Sequence, residues 1–181
     1  MYTYVALLRG INVGGRNRLK MKDLASMLTG LGLHNIKTYI QSGNVVFQSN
    51  PFDPPALAED ITTTIAENYG FDPSVLILSA ANFQQALAGN PFPEADSAPK
   101  SVHLYFLAAP ATDPDLDTLR KYQKENEQFV LTDAVFYLHA PDGIGRSKLA
   151  ERVEKALGVA VTARNWRTAG KIMDLVMELE S

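Results

Sequence analysis

Ile36-Lys37-Thr38-Tyr39-Ile40-Gln41-Ser42-Gly43-Asn44-Val45-Val46-Phe47-Gln48 is the stretch that decides the fold. β-Branched and aromatic residues flank Gln41-Ser42-Gly43-Asn44, so two short strands, Ile36 to Ile40 and Val45 to Gln48, are expected around a tight turn. On its N-terminal side, Met21, Leu24, Leu28 and Leu31 recur at three- and four-residue steps. That is a helix with one apolar face, ended by Gly32. Before the helix, Tyr2 to Arg9 is apolar enough for a buried strand, which Gly10 to Gly15 breaks. On the other side of the hairpin, Asp53 is placed to cap a second helix with Pro54 in its first turn. Its inner stripe is Leu57, Ile61 and Ile65, and Val75 to Leu78 supplies a fourth strand.

The order is therefore β-α-β-β-α-β, the ferredoxin-like order. Ser79 is placed to cap a short helix through Leu87, and Gly89 to Pro99 is a connector. The order then repeats. Val102 to Ala108 is a strand and Asp115 to Lys124 a helix. Phe129 to Thr132 and Ala134 to His139 form a hairpin about Asp133. Ser147 opens a helix with the stripe Leu149, Val153 and Leu157, and Val159 to Val161 closes the unit as a short strand. A last helix from about Asn165 to Leu179 buries Ile172, Leu175, Val176 and Leu179. The expected fold class is α+β, with two tandem ferredoxin-like βαββαβ units plus a C-terminal helix, packed as one unit. The first unit with its connecting helix is placed at residues 1–90, and the second with the C-terminal helix at residues 100–181.

Composition narrows function mainly by exclusion. Among 181 residues, 46% are hydrophobic and 20% charged, which suits a globular fold. With no cysteine there is no disulfide framework, thiolate metal site or cysteine nucleophile. The N-terminal residues lack a basic segment followed by an apolar run, and no apolar stretch is long enough for a membrane span. A cytoplasmic protein without a membrane partner is expected. The net charge of −3 argues against a general nucleic-acid binder, but its distribution is uneven. Arg9, Arg16, Arg18, Lys20 and Lys22 occupy a segment with no acid at all, as do Arg164, Arg167 and Lys171.

Three segments could carry chemistry. In Arg9-Gly10-Ile11-Asn12-Val13-Gly14-Gly15-Arg16-Asn17, glycines permit close backbone approach and guanidinium groups suit phosphate or carboxylate. Its spacing mimics a phosphate-binding Walker loop, yet Arg16 stands where lysine belongs and Asn17 where Ser/Thr would hold magnesium. In Tyr39-Ile40-Gln41-Ser42-Gly43-Asn44 the plain reading is a tight turn. The functional reading is a polar rim of Gln41, Ser42 and Asn44. In Thr162-Ala163-Arg164-Asn165-Trp166-Arg167-Thr168, Asn165 is a helix cap and Trp166 a core anchor. Alternatively, Arg164 binds an anion beside a helix N-terminus, with Trp166 as a stacking surface.

Other patterns are weaker. His34, His103 and His139 have no metal-ligand spacing, although His103 and His139 could share a sheet face. Asp113, Asp115 and Asp117 read as the acidic first turn of a helix. The third strand lacks the aromatic pattern with which RNA-recognition sheets stack bases. No cofactor is specified by any of these patterns.

At Leu8-Arg9-Gly10-Ile11-Asn12-Val13-Gly14-Gly15, at Thr38 to Phe47 and at Thr162-Ala163-Arg164-Asn165-Trp166, the chain resembles a mainly bacterial family known as domain of unknown function 1697. The resemblance runs essentially end to end. It implies a two-part α+β fold of ferredoxin-like halves, and no activity, substrate or catalytic residue. From the residues themselves, the expected function is binding of a small anionic or phosphorylated ligand at a cleft between the halves. Arg9, Asn12, Gly14, Gly15, Ser42, Asn44, Arg164, Asn165 and Trp166 are the expected ligand-binding set, and no metal is expected. The alternatives are nucleic-acid binding through the basic loops and a non-catalytic protein-interaction module.

Overall fold

The structure, a computed structural model, describes residues 1–181. It divides into two compact units, one of residues 1–85 with 171–181, the other of residues 86–170. In the first, strand β1 (Tyr2–Arg9) is followed by helix α1 (Met21–Gly30), strands β2 (His34–Tyr39) and β3 (Asn44–Ser49), helix α2 (Pro54–Tyr69) and strand β4 (Ser74–Ser79). The sheet order is β2-β3-β1-β4, and every neighbouring pair is antiparallel. Strand alternation places Ala6, Leu8, Val45, Phe47 and Ile77 on one face. There they meet Leu24 and Leu28 of α1 and Ile61 and Ile65 of α2 in one core cluster. Val5, Leu7 and Val46, which point the other way, are equally buried, so the central strands carry near-continuous apolar runs.

Helix α3 (Ala80–Ala88) starts where Ser79 Oγ accepts the Asn82 amide at 3.1 Å, and helix α4 (Glu94–Ser97) is a single turn in the connector. The second unit repeats the first unit's element order. Strand β5 (Val102–Leu107), helix α5 (Leu116–Tyr122), strands β6 (Gln128–Leu131) and β7 (Val135–His139), helix α6 (Val153–Leu157) and strand β8 (Val161–Asn165) form a sheet of order β6-β7-β5-β8. Tyr105, Leu107, Phe136 and Leu138 pack there against Leu119, Leu149, Val153 and Leu157. Helix α7 (Trp166–Glu180) ends the chain, and its C-terminal part packs on the first sheet. Gln48 Nε2 donates to Leu179 O at 2.9 Å, and Lys37 pairs with Glu178 at 2.5 Å. No helix is long and apolar enough to cross a membrane.

Four local expectations need correction. Asp53 stands at the α2 N-cap without a side-chain capping bond, because Pro54 and Pro55 remove the first two amide donors. The segment after Ser147 is not one helix. Ser147 Oγ accepts the Ala150 amide at 3.0 Å, which starts a 3-10 turn over Ala150–Arg152 before the short α6. Leu149, Val153 and Leu157 are buried all the same. The closing strand comes later than expected, at Val161–Asn165, in register with His103–Leu107. Val161 and Ala163 join the core cluster while Thr162 and Arg164 alternate with them, a two-residue period that the charged residue masks. Finally, His103 pairs with Leu138 and His139 with Val102, so the two histidines lie on opposite faces of the sheet.

Candidate ligand-binding site

The Gly10-to-Asn17 segment is a small hairpin. The Asn12 amide donates to Asn17 O at 2.9 Å and the Arg16 amide to Val13 O at 2.9 Å. Gly14 and Gly15, with φ of +56° and +76°, are the two central residues of its turn. Two successive left-handed residues are what such a turn requires, so these glycines first of all shape the loop. Asn12 is left-handed as well, and its side chain ties three backbone segments together. Its Nδ2 donates to Leu19 O and to Gln41 O, each at 2.8 Å, while its Oδ1 accepts the Leu19 amide at 2.8 Å. Asn17 Nδ2 closes the base of the loop on Gly10 O at 2.8 Å. The expected ligand residue Asn12 is thus a clamp that holds the loop, and its amide is directed at backbone.

The hairpin lies beside the turn between β2 and β3. Gly43 is buried, has φ of +77° and accepts the Leu8 amide at 2.8 Å. A Cβ at this position would lie 2.6 Å from Leu8 Cβ and 2.9 Å from Ile11 Cδ1, so only glycine lets the turn seat on β1. Asn44 is fully buried, with Nδ2 donating to Tyr39 O at 3.0 Å and to Ser42 Oγ at 2.8 Å. Ser42 and Asn44 therefore brace the turn from inside.

These contacts leave a depression of about 320 Å³ lined by Asn12, Gly15, Arg18, Leu19, Lys20 and Gln41. Arg18 Nε donates to Gly15 O at 3.3 Å, which steers its guanidinium along the rim. Arg9, at the end of β1 opposite Ser74, is exposed, as are Arg16, Arg18, Lys20 and Lys22. The nearest acid in sequence, Asp23, accepts the Tyr69 hydroxyl at 3.0 Å. That bond, with burial and the carboxylate charge added, holds the Tyr69 phenol above its ordinary value. The rim is thus a cationic surface on a cross-braced loop, suited to an anion. Arg18, Lys20 and Gln41 lie outside the expected ligand set, although the run of five cations without an acid had marked their neighbourhood.

Arg164, Asn165 and Trp166 are contiguous in the second unit. Arg164 belongs to β8, opposite Leu104, and its Nη1 donates to Ala163 O at 2.9 Å. Burial lowers its pKa to about 10, still well above neutrality, so the guanidinium is charged. Asn165 ends the strand and caps α7, its Oδ1 accepting the Thr168 amide at 2.9 Å. Trp166 opens the helix and is half-buried. A larger depression of about 590 Å³ in this unit includes Pro99, Lys100, Pro141 and Arg167 in its lining, and none of the expected ligand residues.

The family model described as "Protein of unknown function (DUF1697)" matches residues 1–137 of the chain. No curated protein matches it. Among solved structures, conserved bacterial protein SP0830 from Streptococcus pneumoniae is similar at 27% identity and a TM-score of 0.69. The likeness covers 97% of this chain and 98% of that one.

Proposed function

For a chain that belongs to the domain of unknown function 1697 family, whose description carries no activity, we propose from its own residues that it binds a small anionic or phosphorylated ligand. The observation that supports this is the Asn12 clamp. One side chain joins the Gly-rich hairpin, the Leu19 segment and the Gln41 turn, and the depression so formed has Arg18 and Lys20 on its rim. A braced loop holding cations in an acid-free segment supplies preorganised charge, which lowers the ordering cost of binding. Gly15 belongs to the lining itself, and Arg9 and Gly14 are assigned to the same ligand because they lie in the same acid-free segment. The reading is one of recognition, since the lining holds cationic, amide and aliphatic groups and neither histidine nor carboxylate.

The proposal extends to Arg164 and Trp166 on chemistry alone. A charged, half-buried arginine two residues before the tryptophan that opens a long helix suits the same class of ligand. Ser42, Asn44 and Asn165 are assigned supporting roles, because each holds a turn or a helix end.

A thermal-shift panel of inorganic phosphate, phosphate esters and carboxylates tests the proposal on wild type, Arg9→Ala, Arg18→Ala and Arg164→Ala. A ligand present at one hundred times its dissociation constant stabilises by about 2.7 kcal/mol, a readily measured shift. Arg18→Ala is expected to abolish most of it, with a smaller loss for Arg9→Ala; a loss in Arg164→Ala alone would assign the binding to the second unit. No shift by any anion in wild type would refute the reading. Steeply salt-dependent binding to polynucleotides, with none to small anions, would replace it by nucleic-acid recognition.

A further inference from the structure

Two exposed aliphatic residues adjoin the lining of this depression in the chain, Ile40 immediately before Gln41 and Val13 immediately after Asn12. Ile40 has φ of +48°. The three other non-glycine residues with positive φ, Asn12, Asn17 and Asn35, are all asparagines, the residue that tolerates this conformation best. A β-branched residue is the least suited to it, and the strain is not repaid by full burial, since Ile40 remains 51% exposed. Gln41, the next residue, receives the Asn12 side-chain bond at 2.8 Å. Val13, immediately after Asn12, is 65% exposed. Two exposed aliphatic residues thus stand next in the chain to the two partners of a hydrogen bond that lines a cationic hollow.

We propose that the ligand is a phosphate ester with an apolar organic portion, which lies against Ile40 and Val13 while Arg18 and Lys20 take the phosphate. This rests on the anion-binding reading and gives that ligand its chemical class. The volume of about 320 Å³ suits a small molecule and not an extended polymer. The strain at Ile40 then has a reason. It holds an apolar side chain next in the chain to the lining residue Gln41, where asparagine would be relaxed but polar.

Phenyl phosphate, with inorganic phosphate as the head group alone, separates the two parts of the idea. Equilibrium dialysis of wild type should show phenyl phosphate bound about tenfold more tightly, the scale expected from covering part of two aliphatic side chains. Ile40→Asn should raise the melting temperature by relieving strain, bring phenyl phosphate down to the affinity of inorganic phosphate and leave inorganic phosphate unchanged. Val13→Ser, at an exposed turn position, should reduce the preference without changing the melting temperature. Equal affinity for the two probes in wild type overturns the inference, and so does an unchanged preference in both variants. In either case inorganic phosphate binding still stands for the anion site. If wild type binds neither probe, the anion-binding reading has failed and the inference falls with it.

Discussion

Gly43 and His103 show how much single residues decide here. Gly43→Ala would place a methyl group 2.6 Å from Leu8 Cβ, on a residue whose φ of +77° already disfavours any side chain. Overpacking and backbone strain together should cost about 2–4 kcal/mol, read as a lower urea midpoint with an unchanged slope. His103 is buried in β5, and that burial, partly opposed by the Ser101 backbone, lowers its pKa from 6.5 to about 4. Between those values the unfolded chain takes up a proton that the folded chain does not. Stability is therefore full above the unfolded value, falls as pH drops through this window, and has lost on the order of 3 kcal/mol below it. His103→Leu should flatten that part of the profile. Urea midpoints of the two proteins at about pH 7 and about pH 4 measure the difference, and parallel profiles would show that another group is responsible. Neither role was legible in sequence. Gly43 reads as any turn glycine until β1 is seen packed beneath it, and a strand histidine shows its burial only once the sheet is covered.

At the scale of elements, the Asn165 cap joins β8 to α7. Asn165→Ala removes the acceptor for the Thr168 amide and should cost about 1 kcal/mol, visible as a lower melting temperature. An unchanged melting temperature would mean that water caps the helix as well. This cap was legible because asparagine before an apolar 3.6-residue period is a helix start wherever it occurs. The first hairpin and both long helices were legible for the same reason, since their periods are unbroken. β8 was misplaced because Thr162, Arg164 and Asn165 leave only Val161 and Ala163 as an apolar signal, and its pairing with β5 is a long-range contact that no local pattern reports. The segment after Ser147 kept its buried stripe while changing helix type, because the hydrophobic pattern records which residues face inward and not how tightly the turn is wound.

For the whole molecule, two sheets of identical strand order carry very different loops. In the first unit, the link from β1 to α1 spans residues 10–20 and holds the braced basic hairpin. In the second, the corresponding link spans residues 108–115 and ends in Asp115, whose carboxylate accepts the Thr168-like bond of its own helix from Thr118 at 2.9 Å. The repeat is thus a scaffold, and the candidate chemistry belongs to what one copy adds to it. The uneven charge showed where that addition lies, whereas the Asn12 clamp that shapes it depends on a residue 29 positions away and appears only in the fold. Calorimetric titration of inorganic phosphate at low ionic strength is the most direct test. It should give one saturable site in wild type, weakened at least about tenfold by the pair Arg18→Ala and Lys20→Ala. The matched pair Arg120→Ala and Lys121→Ala on α5 should leave it intact. Equal weakening by both pairs, or no saturable site in wild type, would contradict an anion site on the first unit.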